Sequence, residues 1–278
     1  MTAKTMNISL AHLSMIDAAP EDLIGAALAG GFNGIGLRLT STMALPAGVD
    51  LASDRTRLKR FKTALADNGL RVLDVEAFAL TAQTQVLDFE SALDAAAELG
   101  AKSLLCVIRD DEIHRRIENF SQLCQLAAKR GITVGLEFIP YMAVRTIAEA
   151  KFIIDKSDQQ NAAFLIDVLH LSRSGGQPED LQDLDIAFIQ LCDARSTIPS
   201  YDQLPSEART DRLYPGEGAL WLDRLSPYLS KATHISVEAP VKADASLSFA
   251  ERGLRLGSAT QAFLVRHGIT PNTKKAEN

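Results

Sequence analysis

The sequence predicts an α/β protein with the architecture of a (β/α)8 TIM barrel. Short apolar or β-branched runs of strand length recur eight times, and amphipathic segments of helical length lie between them. The runs are apolar almost throughout, which is typical of parallel strands that are buried on both faces. Eight such units in a chain of 278 residues match the usual length of a closed barrel.

The predicted strands and helices alternate along the chain. The strands, numbered 1 to 8 in this order, are Asn7–Ala11, Gly34–Arg38, Arg71–Glu76, Ser103–Val107, Ile132–Glu137, Phe164–Asp167, Ala187–Leu191 and His234–Glu238. The clearest helices are Glu21–Ala29, Arg55–Asp67, Phe89–Leu99, Ile117–Lys129, Val144–Lys156 and Phe249–Arg266.

Glycine marks the point where several helices end. The segments AGGF, DNGL, ELGA and KRGI each place a glycine after a helix and an apolar residue next to it. A glycine just past a helix adopts the left-handed conformation that caps it. The alternative fold, an open doubly wound sheet, usually has a glycine fingerprint after its first strand. The segment AHLSMIDAAP at 11–20 contains no glycine, which favours the barrel.

We expect one barrel domain over residues 1–269 and a disordered tail over residues 270–278.

Composition limits the partners and the compartment. The formal net charge of −6 argues against nucleic acid and membrane surfaces as partners, because both need a basic face. The start, MTAKTMNISL, and the rest of the chain lack long apolar runs, so we expect neither a signal peptide nor a membrane helix. Three cysteines without paired spacing favour a reducing cytoplasm.

Oxygen-bearing side chains stand at the ends of strands 5 to 8. In a closed barrel these ends meet at one mouth, which carries the chemistry. The residues are Glu137, Asp167, Gln190 and Glu238. Three buried carboxylates repel one another and lose their hydration. A divalent cation balances their charge and binds the oxygens that water no longer solvates. Oxygen ligands favour Mg²⁺ or Mn²⁺, and Co²⁺ or Zn²⁺ become suitable if a nitrogen joins them.

Other polar residues near the strand ends are candidates for substrate contact. His170 follows Asp167 by three residues, and we interpret it as a group that contacts substrate or orients a ligand rather than as a direct ligand. His12, Arg38 and Glu76 lie at the ends of strands 1, 2 and 3. The alternatives are a core histidine with satisfied hydrogen bonds and an Arg–Glu pair that bridges neighbouring strands.

The connection after strand 7 is the longest in the chain and runs from Asp193 to Ala219. Long connections in compact barrels are usually functional. This one carries several arginines, a side chain suited to carboxylate, phosphate or enolate oxygens. We predict that Arg195 and Arg212 contact the substrate. The alternative is a surface excursion whose arginines are solvated.

Five segments, in this order, resemble the xylose isomerase-like TIM barrel superfamily, also called sugar phosphate isomerases/epimerases. They are GLEFIP, LIDVLHLSRSGG, FIQLCDA, DRLYPGEG and ISVEAP. The resemblance covers residues 7–268 and is not specific for one substrate. It implies one divalent metal ion held by Glu137, Asp167, Gln190 and Glu238.

Gln190 departs from the epimerase pattern. Sugar epimerases of this superfamily usually have histidine at that position, whereas its 3-dehydroshikimate dehydratases have glutamine. The segments DVLHLSRSGG and QLCDA also look like those of the dehydratases.

Barrel phosphate sites usually use glycine-rich turns after strands 7 and 8, and APVKADAS after strand 8 has no glycine. The resemblance therefore implies an isomerase or epimerase, with a dehydratase as the alternative, and an unphosphorylated substrate fits at least as well.

The implied chemistry begins with removal of a proton α to the carbonyl of a small polyhydroxylated substrate. A metal ion acting as a Lewis acid would stabilise the resulting enediolate. We predict Glu137 and Glu238 as the catalytic pair, with a slight preference for Glu137 as base. His170 would assist the departure of a β-hydroxyl group in a dehydratase. Homo-oligomers are common in the superfamily, and the resemblance leaves open whether this chain forms one.

Two further classes compete with these enzymes. A DNA-repair endonuclease of a related family would need more histidines for a trinuclear zinc site, together with a basic face. This acidic chain has only five scattered histidines, at positions 12, 114, 170, 234 and 267. A barrel that binds metal without catalysis is the other alternative, and the complete acidic set argues against it.

Overall fold

Eight parallel strands form a closed barrel in the computed structural model, which describes residues 4–40 and 51–272. Each strand pairs with its neighbours in chain order, and the eighth pairs with the first. The strands, β1 to β8, are Ile8–Leu10, Gly34–Arg38, Arg71–Leu80, Ser103–Ile108, Thr133–Glu137, Ala162–Asp167, Ile186–Leu191 and Ile235–Val237. The predicted fold class is confirmed, and all eight predicted strands are present.

The third strand, β3, is longer than predicted. The prediction ended it at Glu76, but it continues to Leu80. After a register shift, Phe78, Ala79 and Leu80 pair with residues of β4, because this apolar segment continues the buried ladder. Glu76 consequently lies within the strand, opposite Arg38 at the end of β2.

Helices follow most of the strands and surround the barrel. The helices, α1 to α9, are Pro20–Gly30, Arg55–Asp67, Glu90–Leu99, Ile113–Ala128, Ile147–Ser157, Val168–Arg173, Leu204–Thr210, Leu222–Leu225 and Phe249–Arg266. Short 3-10 helices are His12–Met15, Val86–Phe89, Pro178–Leu181, Tyr201–Gln203, Ser226–Lys231 and Lys242–Asp244. The six clearest helices of the sequence prediction did not include the short α6, α7 and α8.

Side-chain caps explain where two helices begin. The α4 helix starts before its predicted position because the Glu112 carboxylate accepts hydrogen bonds from the first-turn N–H groups of His114 and Arg115. The α5 helix starts later than predicted because Thr146 Oγ1 accepts from the N–H of Glu149. At the other end of α1, Gly31 has a φ of 69°, as the glycine pattern predicted.

The first and last long helices, α1 and α9, pack at unusually short range. A Cβ atom at Gly257 would lie only 2.0 Å from the carbonyl oxygen of Gly30. A Cβ atom at Gly253 would lie 2.2 Å from the carbonyl oxygen of Ala26. Glycine at these positions therefore lets the two helix backbones touch, and the contact joins the beginning of the barrel to its end.

Two short strands pair outside the barrel near the ends of the chain. Lys4–Met6 runs parallel to Ile269–Pro271, with Thr5 opposite Thr270. The sequence prediction placed Thr270 and Pro271 in a disordered tail, and this pairing corrects that boundary. Thr270 and Pro271 have a composition typical of a loop, but strand pairing with Lys4–Met6 orders their backbone. Residues 273–278 of the predicted tail lie outside the described residues.

The interior contains the apolar faces of the strands and helices. The three cysteines, Cys106, Cys124 and Cys192, are buried free thiols. Within residues 4–40 and 51–272, no helix is both long enough and apolar enough to cross a membrane.

Candidate active site

Three carboxylates and one amide meet at the carboxyl ends of β5 to β8. Glu137 and Asp167 are the last residues of β5 and β6, and Glu238 directly follows β8. Gln190 is the penultimate residue of β7. All four side chains are buried. The structure thus brings the four predicted metal ligands to the same mouth, because parallel strands in register end at one face of the barrel.

His170 joins this group through the turn that begins α6. Asp167 caps the helix, because its Oδ1 accepts hydrogen bonds from the N–H groups of Leu169 and His170 at 2.8 and 3.2 Å. His170 Nε2 then lies 3.8 Å from Glu137 Oε1. Glu137, Asp167 and His170 each offer a ligand atom within 4.8 Å of the others. Burial lowers the pKa of His170 to about 4, so its imidazole is neutral at pH 7.

Arg212 connects two of the predicted ligands. Its Nη1 donates to Asp167 Oδ2 at 2.7 Å, and its Nη2 donates to Glu238 Oε1 at 2.9 Å. Its Nε donates to the carbonyl oxygen of Ala208 at 2.7 Å. The guanidinium is only 1% exposed, so these bonds form in a region of low dielectric constant. Arg212, which the sequence predicted to contact the substrate, is therefore also a buried cation that holds the carboxylates of Asp167 and Glu238 in place.

Glu137 is the carboxylate without a cationic partner. Within the described chain, its side chain accepts no hydrogen bond from a protein donor, and its polar neighbour is the neutral His170. Burial and the charges of Asp167 and Glu238 raise its pKa well above the ordinary range for glutamate. Burial also raises the pKa of Glu238, although Arg212 acts in the opposite direction. The three carboxylates and one guanidinium of this group leave two negative charges unbalanced when all are ionised.

Gln190 presents an unsatisfied oxygen in the same group. Its Nε2 donates to Glu238 Oε2 at 2.5 Å, while its Oε1 is buried and has no hydrogen-bond partner. A buried acceptor without a donor is destabilising unless another group binds it. A divalent cation fits this donor set, since it would use that oxygen and balance the remaining charge.

Arg38 and Glu76 form a buried ion pair beside the acidic group. Arg38 Nη2 lies 2.8 Å from Glu76 Oε2, which is the strand-bridging pair that the sequence left as an alternative. Both side chains nevertheless line the cavity. Arg38 Nε and Nη1 are buried without partners, so they are free to donate to a bound molecule.

Two predicted substrate contacts do not reach this cavity. The ring of His12 is fully buried, with Nδ1 accepting from the N–H of Arg38 and Nε2 lying 3.1 Å from the carbonyl oxygen of Ala18. Both ring nitrogens are thereby used, as in the core-histidine alternative. Arg195 is 58% exposed and pairs with Asp211 at 2.7 Å. It points to solvent because the segment after β7 leaves the mouth before it returns with Arg212.

The cavity has an empty volume of about 520 Å³, which includes open solvent at its mouth. Glu137, Glu238, His170 and Arg212 line its inner part, and Arg109, Tyr141 and Arg209 lie nearer the entrance. The sequence prediction did not include Arg109 or Tyr141. Arg109 directly follows β4, so the strand-end rule would have found it if applied to strand 4. Tyr141 lies four residues after the end of β5, and no pattern in the sequence predicts that its side chain lines the cavity.

The comparisons with known proteins agree with the barrel fold. A family model described as xylose isomerase-like TIM barrel matches residues 24–254. A 3-dehydroshikimate dehydratase of Pseudomonas aeruginosa is 30% identical over 105 residues, which are 36% of this chain and 16% of that protein. The chain therefore matches about one sixth of the length of this curated relative.

Solved structures share the whole fold at low sequence identity. The IolI protein with a bound zinc atom superposes with a TM-score of 0.76 at 18% identity, over 94% of this chain and 99% of that chain. The probable 3-dehydroshikimate dehydratase AsbF of Bacillus anthracis gives 0.72 at 18% identity, over 92% and 99%. D-allulose 3-epimerase of Methylomonas sp., in complex with D-allulose, gives 0.67 at 15% identity, over 96% and 99%. Because the family model matches well over half of the sequence, the chain belongs to the xylose isomerase-like TIM barrel family.

Proposed function

We propose that this protein is a metal-dependent isomerase or epimerase that removes a proton α to the carbonyl of a small polyhydroxylated substrate. One observation carries the proposal: three buried carboxylates meet at the mouth of the barrel, and within the described residues Arg212 is the one guanidinium that pairs with any of them. Maintaining two unbalanced negative charges in a buried site is unfavourable, and a divalent cation would remove that cost.

The residues that would hold the metal are Glu137, Asp167, Gln190 and Glu238. The unpartnered Oε1 of Gln190 supports this assignment. A set of four oxygens favours Mn²⁺ or Mg²⁺, and the nearby Nε2 of His170 makes Co²⁺ or Zn²⁺ suitable as well. A bound metal ion would supply Lewis-acid polarisation of the substrate carbonyl.

Glu137 is the better candidate for the base. Among the residues that the structure describes, no donor reaches its carboxylate, whereas Glu238 accepts hydrogen bonds from both Arg212 and Gln190. A carboxylate without donors is the stronger proton acceptor. Glu238 directly follows β8, whereas Glu137 ends β5, and Glu238 would return a proton from another direction.

His170 and Arg38 would position the substrate. His170 is neutral and buried, and its Nε2 lies 3.8 Å from Glu137, so it can exchange a hydrogen bond with a substrate hydroxyl beside the base. Arg38 offers two unpartnered buried nitrogens, Nε and Nη1, as donors to substrate oxygens and is held in place by Glu76. The ring of Tyr141 packs against the ring of His170 at an interplanar angle of 76°.

A dehydratase is the second candidate, and a specific observation favours it. The curated relative of Pseudomonas aeruginosa is a 3-dehydroshikimate dehydratase. Such a reaction would begin with the same proton removal and continue with loss of a β-hydroxyl group as water. His170 lines the cavity and would hydrogen-bond that hydroxyl as it departs.

Deuterium exchange separates these candidates. The Mn²⁺-loaded protein and its Glu137→Gln variant would be incubated in D2O with small ketoses and with 3-dehydroshikimate, and followed by NMR and ultraviolet absorbance. An isomerase or epimerase incorporates deuterium without new absorbance, whereas a dehydratase produces conjugated-ring absorbance. The Glu137→Gln variant should lose either signal. Neither signal with any substrate, while Mn²⁺ stays bound at one equivalent, would favour a non-catalytic metal-binding barrel.

A further inference from the structure

The entrance of the cavity carries a positive charge that the acidic group does not explain. Four arginines line the cavity, and two of them are already paired with carboxylates, Arg38 with Glu76 and Arg212 with Asp167 and Glu238. Arg109 and Arg209 also line it. Within residues 4–40 and 51–272 neither of these two forms an ion pair, and we call them the cationic rim.

The cationic rim is not an ordinary solvated surface. Both arginines are only partly exposed, and Arg109 Nε is buried without a hydrogen-bond partner. Burial and the like charge of the neighbouring Arg209 lower the pKa of Arg109. Several other arginines form ion pairs, such as Arg57 with Glu21 and Arg195 with Asp211. Two partly buried guanidinium groups that repel each other are stabilised when an anion lies between them.

The position of the rim relates it to the acidic group. Arg109, Tyr141 and Arg209 line both the inner cavity and a second, outer cavity that continues from it toward solvent. Burial raises the pKa of Tyr141, so its hydroxyl stays protonated and can donate to the same anion. The cavity, which apolar side chains also line, therefore has the acidic group at its inner end and the cationic rim at its entrance.

We propose that the substrate carries an oxyanion, a carboxylate or a phosphate, which Arg109 and Arg209 bind while the carbonyl end lies at the acidic group. This inference rests on the proposed function for the position of the reacting carbons. The two guanidinium groups fix which end of the substrate enters first, because the acidic inner end repels an anion. They also select against neutral sugars of the same size.

Matched pairs of probes that differ in charge test the inference. Binding of D-fructose 6-phosphate and D-fructose, and of 3-dehydroshikimate and its methyl ester, would be measured by calorimetry. The anionic member of at least one pair should bind tenfold or more tightly than its neutral partner. The pair that discriminates identifies the anion as a phosphate or a carboxylate.

Variants assign the effect to the rim. Arg109→Gln and Arg209→Gln should each weaken binding of the preferred anionic probe tenfold or more and change binding of its neutral partner less than twofold. Arg195→Gln, in the same segment but paired with Asp211, is the matched control and should bind like wild type. Arg109→Lys and Arg209→Lys, which keep the charge, should retain part of the affinity and show that loss in the glutamine variants is not misfolding.

Three results would overturn the inference: equal binding within both pairs, no binding of any probe, or an equal loss in Arg195→Gln. A titration of the same samples with Mn²⁺ tests the proposed function separately. If the protein does not bind Mn²⁺ but still prefers the anionic probe, the proposed function is refuted. The cationic rim is then still supported as an anion site.

Discussion

Arg212 Nη1 donates to Asp167 Oδ2 at 2.7 Å, and this buried bond ties the long segment after β7 to the end of β6. The same guanidinium reaches Glu238 beyond β8 through both the side chain and the carbonyl oxygen. One side chain thus fixes the segment over the barrel mouth. The bond explains how a segment that leaves the barrel at Asp193 returns to complete the site.

Removing the Arg212 guanidinium should destabilise the protein strongly. In Arg212→Gln, Asp167 and Glu238 stay buried without their cation, and we expect the free energy of unfolding to fall by about 3–5 kcal/mol. Urea denaturation measures this change. Arg195→Gln removes an exposed pair with Asp211 and should lose less than about 1 kcal/mol. An equally small loss in both variants would show that the buried pairs are not a main source of stability.

The side-chain amide of Gln190 should contribute to metal affinity. Gln190→Met keeps the volume but removes the unpartnered Oε1 and the Nε2 donor. We expect Mn²⁺ affinity to fall about tenfold or more, as read from the signal of free Mn²⁺ in electron paramagnetic resonance. Gln261→Met, which removes a bond to Gly30 far from the mouth, is the control. Unchanged affinity in Gln190→Met would exclude the amide as a ligand.

The contact between α1 and α9 predicts opposite effects for two glycine-to-alanine changes. Gly257→Ala would place a Cβ atom 2.0 Å from the carbonyl oxygen of Gly30, so the helices must separate. We expect a loss of about 2–3 kcal/mol in the free energy of unfolding. A Cβ atom at Gly25, in the exposed face of α1, meets nothing within 4 Å. Gly25→Ala should therefore gain about 0.5–1 kcal/mol from helix propensity, and thermal or urea denaturation compares the two.

His12 should contribute to the loss of stability in acid. Burial lowers its pKa to about 4 in the folded protein, from 6.5. Between these values the unfolded chain binds a proton that the folded protein does not, so stability falls as the pH decreases from about 6.5 to 4. At a pH below both values, His12 has lowered the free energy of unfolding by roughly 3 kcal/mol. NMR titration should find the His12 ring neutral at pH 5, and a midpoint near 6.5 would contradict the prediction.

The fold could be predicted from the sequence because its signals are local. Apolar strands and glycine caps recur at regular spacing, so each unit is recognisable without knowledge of its neighbours. The ends of strands 5 to 8 likewise placed Glu137, Asp167, Gln190 and Glu238 at one mouth. Their roles as metal ligands are still a prediction.

The segment after β7 could not be predicted in the same way. Its course depends on contacts distant in sequence, such as Asp193, whose carboxylate accepts from the N–H groups of Gly216, Gly218 and Leu220. Those bonds decide which arginines face the cavity. Sequence spacing treats Arg195 and Arg212 alike, whereas the structure turns the first to solvent and the second inward.

The central claim is that the acidic group binds one divalent metal ion, and calorimetric titration of metal-stripped protein with Mn²⁺ tests it most directly. We predict one equivalent bound by wild type and a loss of about 100-fold in affinity in Asp167→Asn. Glu207→Gln, which breaks a pair with Arg173 outside the group, should bind like wild type. Absence of Mn²⁺, Mg²⁺, Co²⁺ and Zn²⁺ binding, or equal affinity in wild type and Asp167→Asn, would contradict the claim.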